Sequence, residues 1–125
     1  LKINENVSFI GLRYDIPELL KAADIFAHPS KREGLGIAPL EAMASGLPIV
    51  TSNIQGIKDY SINGLTGFSY GPNDVEGFSK AISKLADDSE LRNKMGEYNI
   101  KAVRKWSIEN STSQVNKIIQ DFIGL

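Results

Sequence analysis

Two glutamates eight positions apart, Glu33 and Glu41, bracket a glycine-bearing turn and the start of an apolar run: Glu33-Gly34-Leu35-Gly36-Ile37-Ala38-Pro39-Leu40-Glu41. Gly34 and Gly36 lack a Cβ, so the backbone there can approach a ligand closely. Ile37, Leu40 and Ala44 recur at helical spacing, which predicts a helix over 37–45 with those three on its buried face. Gly46 ends this helix, Pro48 prevents its resuming, and a short buried strand follows over 47–51. A helix start offers unpaired N–H groups and the positive end of a dipole, which suit a phosphate or diphosphate. The amides in question are those of Leu35, Gly36 and Ile37.

Glu41 lies about five residues inside the helix, about 7.5 Å along its axis at 1.5 Å per residue. The tilt of Cα–Cβ bonds lets its carboxylate lean back toward the mouth. A carboxylate beside a diphosphate is unfavourable unless it holds hydroxyl groups. The arrangement therefore suits a sugar on one side of a diphosphate and a ribose on the other. Taken singly, Glu41 reads as a solvated helix residue and Glu33 as an acid favoured by the helix dipole. The pair, the glycines and the helix start together favour the ligand.

The elements that must hold this loop alternate strand and helix, so the expected fold class is α/β, a Rossmann-like parallel sheet with flanking helices. Val-Ser-Phe-Ile-Gly over 7–11 reads as a strand ending in glycine. Open α/β sheets bind ligands outside the carboxyl ends of their strands. Leu12 and Arg13 are thus either a wall for a nucleotide base or part of a plain strand-to-helix loop. A helix over 15–23 has Asp15 as N-cap, Pro17 in its first turn and Ile16, Leu19, Leu20 and Ala23 as its core stripe.

Residues 25–28 read as a buried strand ending in His28, the only histidine. It is read as structural in preference to a general base. Lys31 and Arg32 are read as solvated rather than phosphate-binding. A strand over 68–70 follows turn signals at Asn63-Gly64 and Thr66-Gly67, which makes about four strands in all. Asp74 caps a helix over 75–87 whose core positions are Val75, Phe78, Ala81, Ile82 and Leu85. Ser89 caps the next, with Leu91, Met95, Ile100, Val103 and Trp106 as apolar members. Ser107 or Asn110 starts the last, with Val115, Ile118, Ile119 and Phe122 as its stripe.

At 125 residues the chain has the length of one domain with its own core. A net charge of −1 gives no general attraction to nucleic acid or anionic lipid. The absence of cysteine excludes disulfides, Cys-based zinc sites and thiol nucleophiles. No Asp-x-Asp metal motif occurs, and no apolar run is long enough to span a bilayer. The expected location is cytoplasmic. Leu1 as first residue leads to the expectation of a piece of a longer protein.

Glu33 and Glu41 form the E-x7-E pattern of retaining glycosyltransferase family 4, the glycosyl transferases group 1. His28-Pro29-Ser30 with Arg32-Glu33-Gly34-Leu35-Gly36 resembles that family's "PS…EGFG" run, and Glu41-Ala42-Met43-Ala44-Ser45-Gly46-Leu47-Pro48 its "EAMA-x-G-x-P". Gly64-Leu65-Thr66-Gly67 resembles its "NG-x-G" turn. Gly56-Ile57-Lys58-Asp59 is closer to the "RG-x-x-D" version of exopolysaccharide and capsule enzymes than to the common "GG-x-x-E". The resemblance is close over about 7–74 and looser beyond.

It implies part of the C-terminal, donor-binding domain of a GT-B enzyme. The N-terminal acceptor domain is absent from this sequence, as are the first donor-domain strands with the family's diphosphate-binding Arg and Lys. Alone, the chain is expected to be inactive. The implied substrate is a nucleotide diphosphate sugar, with no cofactor and no metal. Glu33 would orient the donor sugar at the reaction centre without acting as a nucleophile, Glu41 would hold the ribose, and Gly34, Leu35, Gly36 and Ile37 would line the diphosphate. Residues after Gly11, here Leu12 and Arg13, would meet the base. The implied acceptor is a glycan or lipid-linked glycan, and the intact enzyme would sit peripherally at the inner face of the membrane. A sheet edge left bare by missing strands invites dimerisation. The competing readings are a non-catalytic nucleotide-sugar-binding module and another GT-B enzyme such as a nucleotide-sugar epimerase.

Overall fold

The computed structural model describes residues 3–124. Its centre is a parallel sheet of three strands in sequence order: β1 (Phe26–His28), β2 (Ile49–Ser52) and β3 (Gly67–Tyr70). Phe26 pairs with Ile49 and Ile49 with Gly67, so the three strands run in register with their carboxyl ends on one side. All four residues of β2 are buried, as expected of a central strand covered on both faces.

Helices α1 (Ile16–Ala22) and α2 (Ile37–Ala44) lie between β1 and β2 or before them, and α3 (Val75–Asp87), α4 (Ser89–Ala102) and α5 (Ile108–Ile123) follow β3. Alternation along β2 splits the core in two. Ile49 packs with Leu20, Leu40, Met43, Ile57 and Tyr60 on one face. Val50 packs with Phe78, Ala81, Leu85 and Met95 on the other.

Several helix ends are set by side chains. Asp74 accepts from the Gly77 amide and starts α3, as read. The next cap is Asp88, not Ser89; its carboxylate accepts from Leu91, and Ser89 is the first helical residue. Ser107, the first of the two candidates, caps α5 through the Asn110 amide. Asp15 precedes α1 without a side-chain capping bond, because its carboxylate is taken by Arg13.

The structure corrects the expected strand over 7–11. Val7 is extended, but no neighbouring strand pairs with this segment among the described residues, and Phe9 is 97% exposed. A strand consists of the hydrogen bonds it exchanges, and here there are none to exchange. The described sheet therefore has three strands rather than four.

The predicted core stripes also need revision. In α2 the buried residues are Pro39, Leu40, Ala42 and Met43, while Ile37 is 66% exposed and Ala44 is exposed. In α1 only Leu20 is fully buried. Val75 and Ile82 of α3 face solvent. In α4 the buried positions are Met95, Gly96 and Asn99, with Ile100 exposed. Val115, Ile118, Ile119 and Phe122 of α5 are all exposed, because among the described residues no element covers them.

Candidate functional site

The carboxyl end of β1 and the mouth of α2 meet at the loop 29–36. His28 closes β1, and its Nε2 lies 2.9 Å from Glu33 Oε1. Both side chains are about a quarter exposed, so each has one side against protein and one side open. The His28 ring stacks on Phe26, with centroids 6.1 Å apart. This pairing was not read from the sequence, where His28 was treated as structural; it is a direct partner of a candidate site residue.

Gly36 is the N-cap of α2 and has φ +73°, a left-handed conformation that favours glycine. It lets the chain turn abruptly from the loop into the helix. No protein acceptor takes the N–H groups of Leu35, Gly36 or Ile37 among the described residues. The opposite end of α2 closes with Gly46 at φ +80°, whose N–H bonds the Met43 carbonyl while Leu47 N–H bonds Ala42. This is a Schellman termination, which fixes the length of the helix and so the place of its mouth.

Two residues beyond the predicted set hold the loop from behind. Gly56, with φ +87°, packs so closely on the Gly34 carbonyl that a Cβ there would collide with it. Tyr60 donates its hydroxyl to the carbonyls of Leu35, at 2.9 Å, and Gly36, at 3.0 Å. Burial, and next the charge of Glu33, push the Tyr60 hydroxyl pKa up to about 12, so it remains a protonated donor at neutral pH. Nothing in the sequence marked Tyr60, which lies more than twenty positions from its acceptors.

Glu41 is exposed on α2 and lines a groove of about 600 Å³ with Leu35, Ile37, Arg104 and Trp106. Leu12 and Arg13 are exposed and line a separate shallow cleft with Tyr14 and Asp15. Arg13 is bound to Asp15, at 2.7 Å from Nε to Oδ1, and its guanidinium holds the Asp15 carboxyl below its usual range. Leu35, Ile37 and Glu41 thus share one groove, Glu33 faces His28 on the loop that leads through Gly34 and Gly36 into α2, and Leu12 and Arg13 line a separate cleft. Lys31 and Arg32 are exposed on the loop. Among the described residues no group of three or more His, Asp or Glu side chains is placed to hold a metal. No described helix is long and apolar enough to cross a membrane.

Residues 1–102 match the family described as "Glycosyl transferases group 1". The chain is 32% identical to UDP-Gal:alpha-D-GlcNAc-diphosphoundecaprenol alpha-1,3-galactosyltransferase of Escherichia coli, over 98% of this chain and 32% of that protein. It is 31% identical to a capsular polysaccharide biosynthesis glycosyltransferase of Staphylococcus aureus, over 96% of this chain and 32% of that protein. Among solved structures, the Anabaena protein Alr3699/HepE in complex with UDP superposes with a TM-score of 0.88 at 27% identity, covering 94% of this chain and 33% of that one. The chain thus spans about one third of the length of each of these relatives.

Proposed function

The chain belongs to the glycosyl transferases group 1 family, and from that membership we propose that it is the donor-binding part, within the C-terminal domain, of a retaining GT-B glycosyltransferase. The longer protein would transfer a hexose from a nucleotide diphosphate sugar to a glycan or lipid-linked acceptor in cell-surface polysaccharide synthesis. The observation that carries this reading is the mouth of α2. Its free amides at Leu35, Gly36 and Ile37 are flanked by one carboxylate on the loop and another on the helix.

Charge that develops on the leaving diphosphate is met by amides already aimed and already unpaired, which removes the cost of reorganising them during reaction. Glu41, on the helix flank, holds the ribose hydroxyls. Glu33 holds donor-sugar hydroxyls and orients the ring; His28 fixes the Glu33 carboxylate from the strand side. The family resemblance assigns the base to the backbone of Leu12 and Arg13, which line a separate cleft in this structure. The reading includes no cofactor and no metal, since the donor is itself a substrate. The acceptor site lies on sequence outside this chain, and the intact enzyme works in the cytoplasm, peripherally at the inner face of the membrane. The relatives named for a diphosphoundecaprenol acceptor and for capsular polysaccharide support this choice of acceptor class.

The test is a thermal-shift panel of this chain against UDP, GDP, ADP and their sugars, with Glu41→Ala beside it. A ligand at 100 times its dissociation constant stabilises by about 2.7 kcal/mol, a readily measured shift. The expected outcome is stabilisation by one nucleotide class, lost in Glu41→Ala. Silence across the panel, in this chain and in the longer protein, would sink the transferase reading.

A further inference from the structure

Tyr60 follows the 3₁₀ turn Ile57–Asp59 and is 2% exposed. Its ring meets Trp106 edge-on, with centroids 5.9 Å apart, so the ring has little freedom. Its one hydroxyl proton is shared between the carbonyls of Leu35 and Gly36. Those carbonyls belong to the same peptide units as the N–H groups of Gly36 and Ile37. In a trans peptide the C=O and N–H bonds point in opposite directions, and no described peptide bond is cis. With both carbonyls turned toward Tyr60, both N–H groups are turned away from it, to the open side of the helix mouth. There they have no protein acceptor. Gly36 makes the approach sterically feasible, since a Cβ at that position would stand 2.8 Å from the Tyr60 hydroxyl.

We propose that Tyr60 is a positioning residue for the donor diphosphate: its hydroxyl holds two consecutive peptide planes so that the amides of Gly36 and Ile37 are aimed at a phosphate. The inference rests on the donor-binding reading above and extends it to a residue that never touches the ligand. The hydroxyl contributes before binding, because amides held in place lose less freedom when the anion arrives. Removal of the hydroxyl leaves the ring packed on Trp106 and releases the two planes.

The experiment follows the backbone amide resonances of the whole chain while inorganic pyrophosphate is titrated into wild type and Tyr60→Phe. In wild type the resonances of Gly36 and Ile37 are expected to move most. In Tyr60→Phe they start from altered positions, and the affinity for pyrophosphate falls about tenfold, the scale of one net hydrogen bond. Replacement of Tyr60 by 4-aminophenylalanine, which keeps a donor in the same place, is expected to restore both. Equal affinity in wild type and Tyr60→Phe would overturn the inference. So would still Gly36 and Ile37 resonances in a wild-type chain that the nucleotide panel stabilises, an outcome that leaves the donor reading intact. If no nucleotide stabilises wild type and pyrophosphate moves neither amide, both readings fall together. Should Tyr60→Phe not fold, still Gly36 and Ile37 resonances in the wild-type titration would overturn the inference.

Discussion

The Tyr60 hydroxyl has a stability consequence with a definite sign. The fold favours its protonated form, with a pKa pushed up to about 12 by burial and then by Glu33. The stabilisation is complete below about pH 10, the value for an unfolded tyrosine, and is lost as pH rises through the folded value. Wild type is therefore expected to lose melting temperature between pH 10 and 12 more steeply than Tyr60→Phe, as scanning calorimetry would show; parallel curves would refute it. Glu33 gives a second outcome at this scale. Glu33→Gln is expected to weaken binding of the nucleotide sugar while leaving the free nucleotide unchanged, a split that titration calorimetry with the two ligands reads directly. Equal losses for both would place Glu33 on the nucleotide instead. The two glutamates were legible in the sequence because spacing along one loop and one helix is local information. The partners of that loop were not. His28 reaches Glu33 only because β1 ends where the loop doubles back, and Tyr60 reaches Leu35 and Gly36 across the molecule.

At the scale of elements, glycines set how closely the loop can be backed. Gly56 and Gly64 both have positive φ, +87° and +81°. A Cβ at Gly64 would meet open space, whereas one at Gly56 would collide with the Gly34 carbonyl. Gly64→Ala thus costs only the backbone strain, about 1–2 kcal/mol. Gly56→Ala adds displacement of the Glu33–Gly34 loop, and is expected to cost clearly more in urea denaturation and to lose nucleotide binding as well. Equal costs would mean that the loop yields freely. Helix ends were mostly readable, since Asp74, Ser107 and Gly46 act through bonds to residues within a few positions, and Pro48 acts through the N–H it lacks. The shift from Ser89 to Asp88 reflects two capping side chains in succession, of which the carboxylate takes the Leu91 amide. Asn99 was missed for a different reason. It is a polar residue among apolar ones, buried because its side-chain amide donates to the carbonyls of Leu47, at 2.7 Å, and Thr66, at 2.8 Å. Those carbonyls lie on separate chain segments that only the folded sheet brings together.

For the whole molecule, the parallel sheet was legible from the alternation of strands and helices, but neither its strand order nor which apolar stripes would be covered was. Periodicity shows that one face of a helix is apolar; it does not supply the surface that buries it. Helix α5 illustrates this. Val115, Ile118, Ile119 and Phe122 recur at helical spacing, yet all are exposed, Phe122 at 91%. The segment 9–14 adds Phe9, Leu12 and Tyr14, also exposed. Contiguous apolar surface of this kind drives association in water unless another surface covers it. The chain by itself is therefore expected to self-associate through α5, as a concentration-dependent increase in sedimentation coefficient. The double replacement Ile118→Lys with Phe122→Lys puts two charges on the stripe and removes no described packing contact, so it should yield a monomer with little change in melting temperature. If association persists in that variant, the contact lies elsewhere, and the 9–14 segment with the unpaired β1 edge becomes the surface to alter. If the double variant instead melts markedly lower, the α5 stripe packs inside the fold in solution, contrary to its exposure here. A wild-type chain that stays monomeric at every concentration would show that this apolar face tolerates water without a partner.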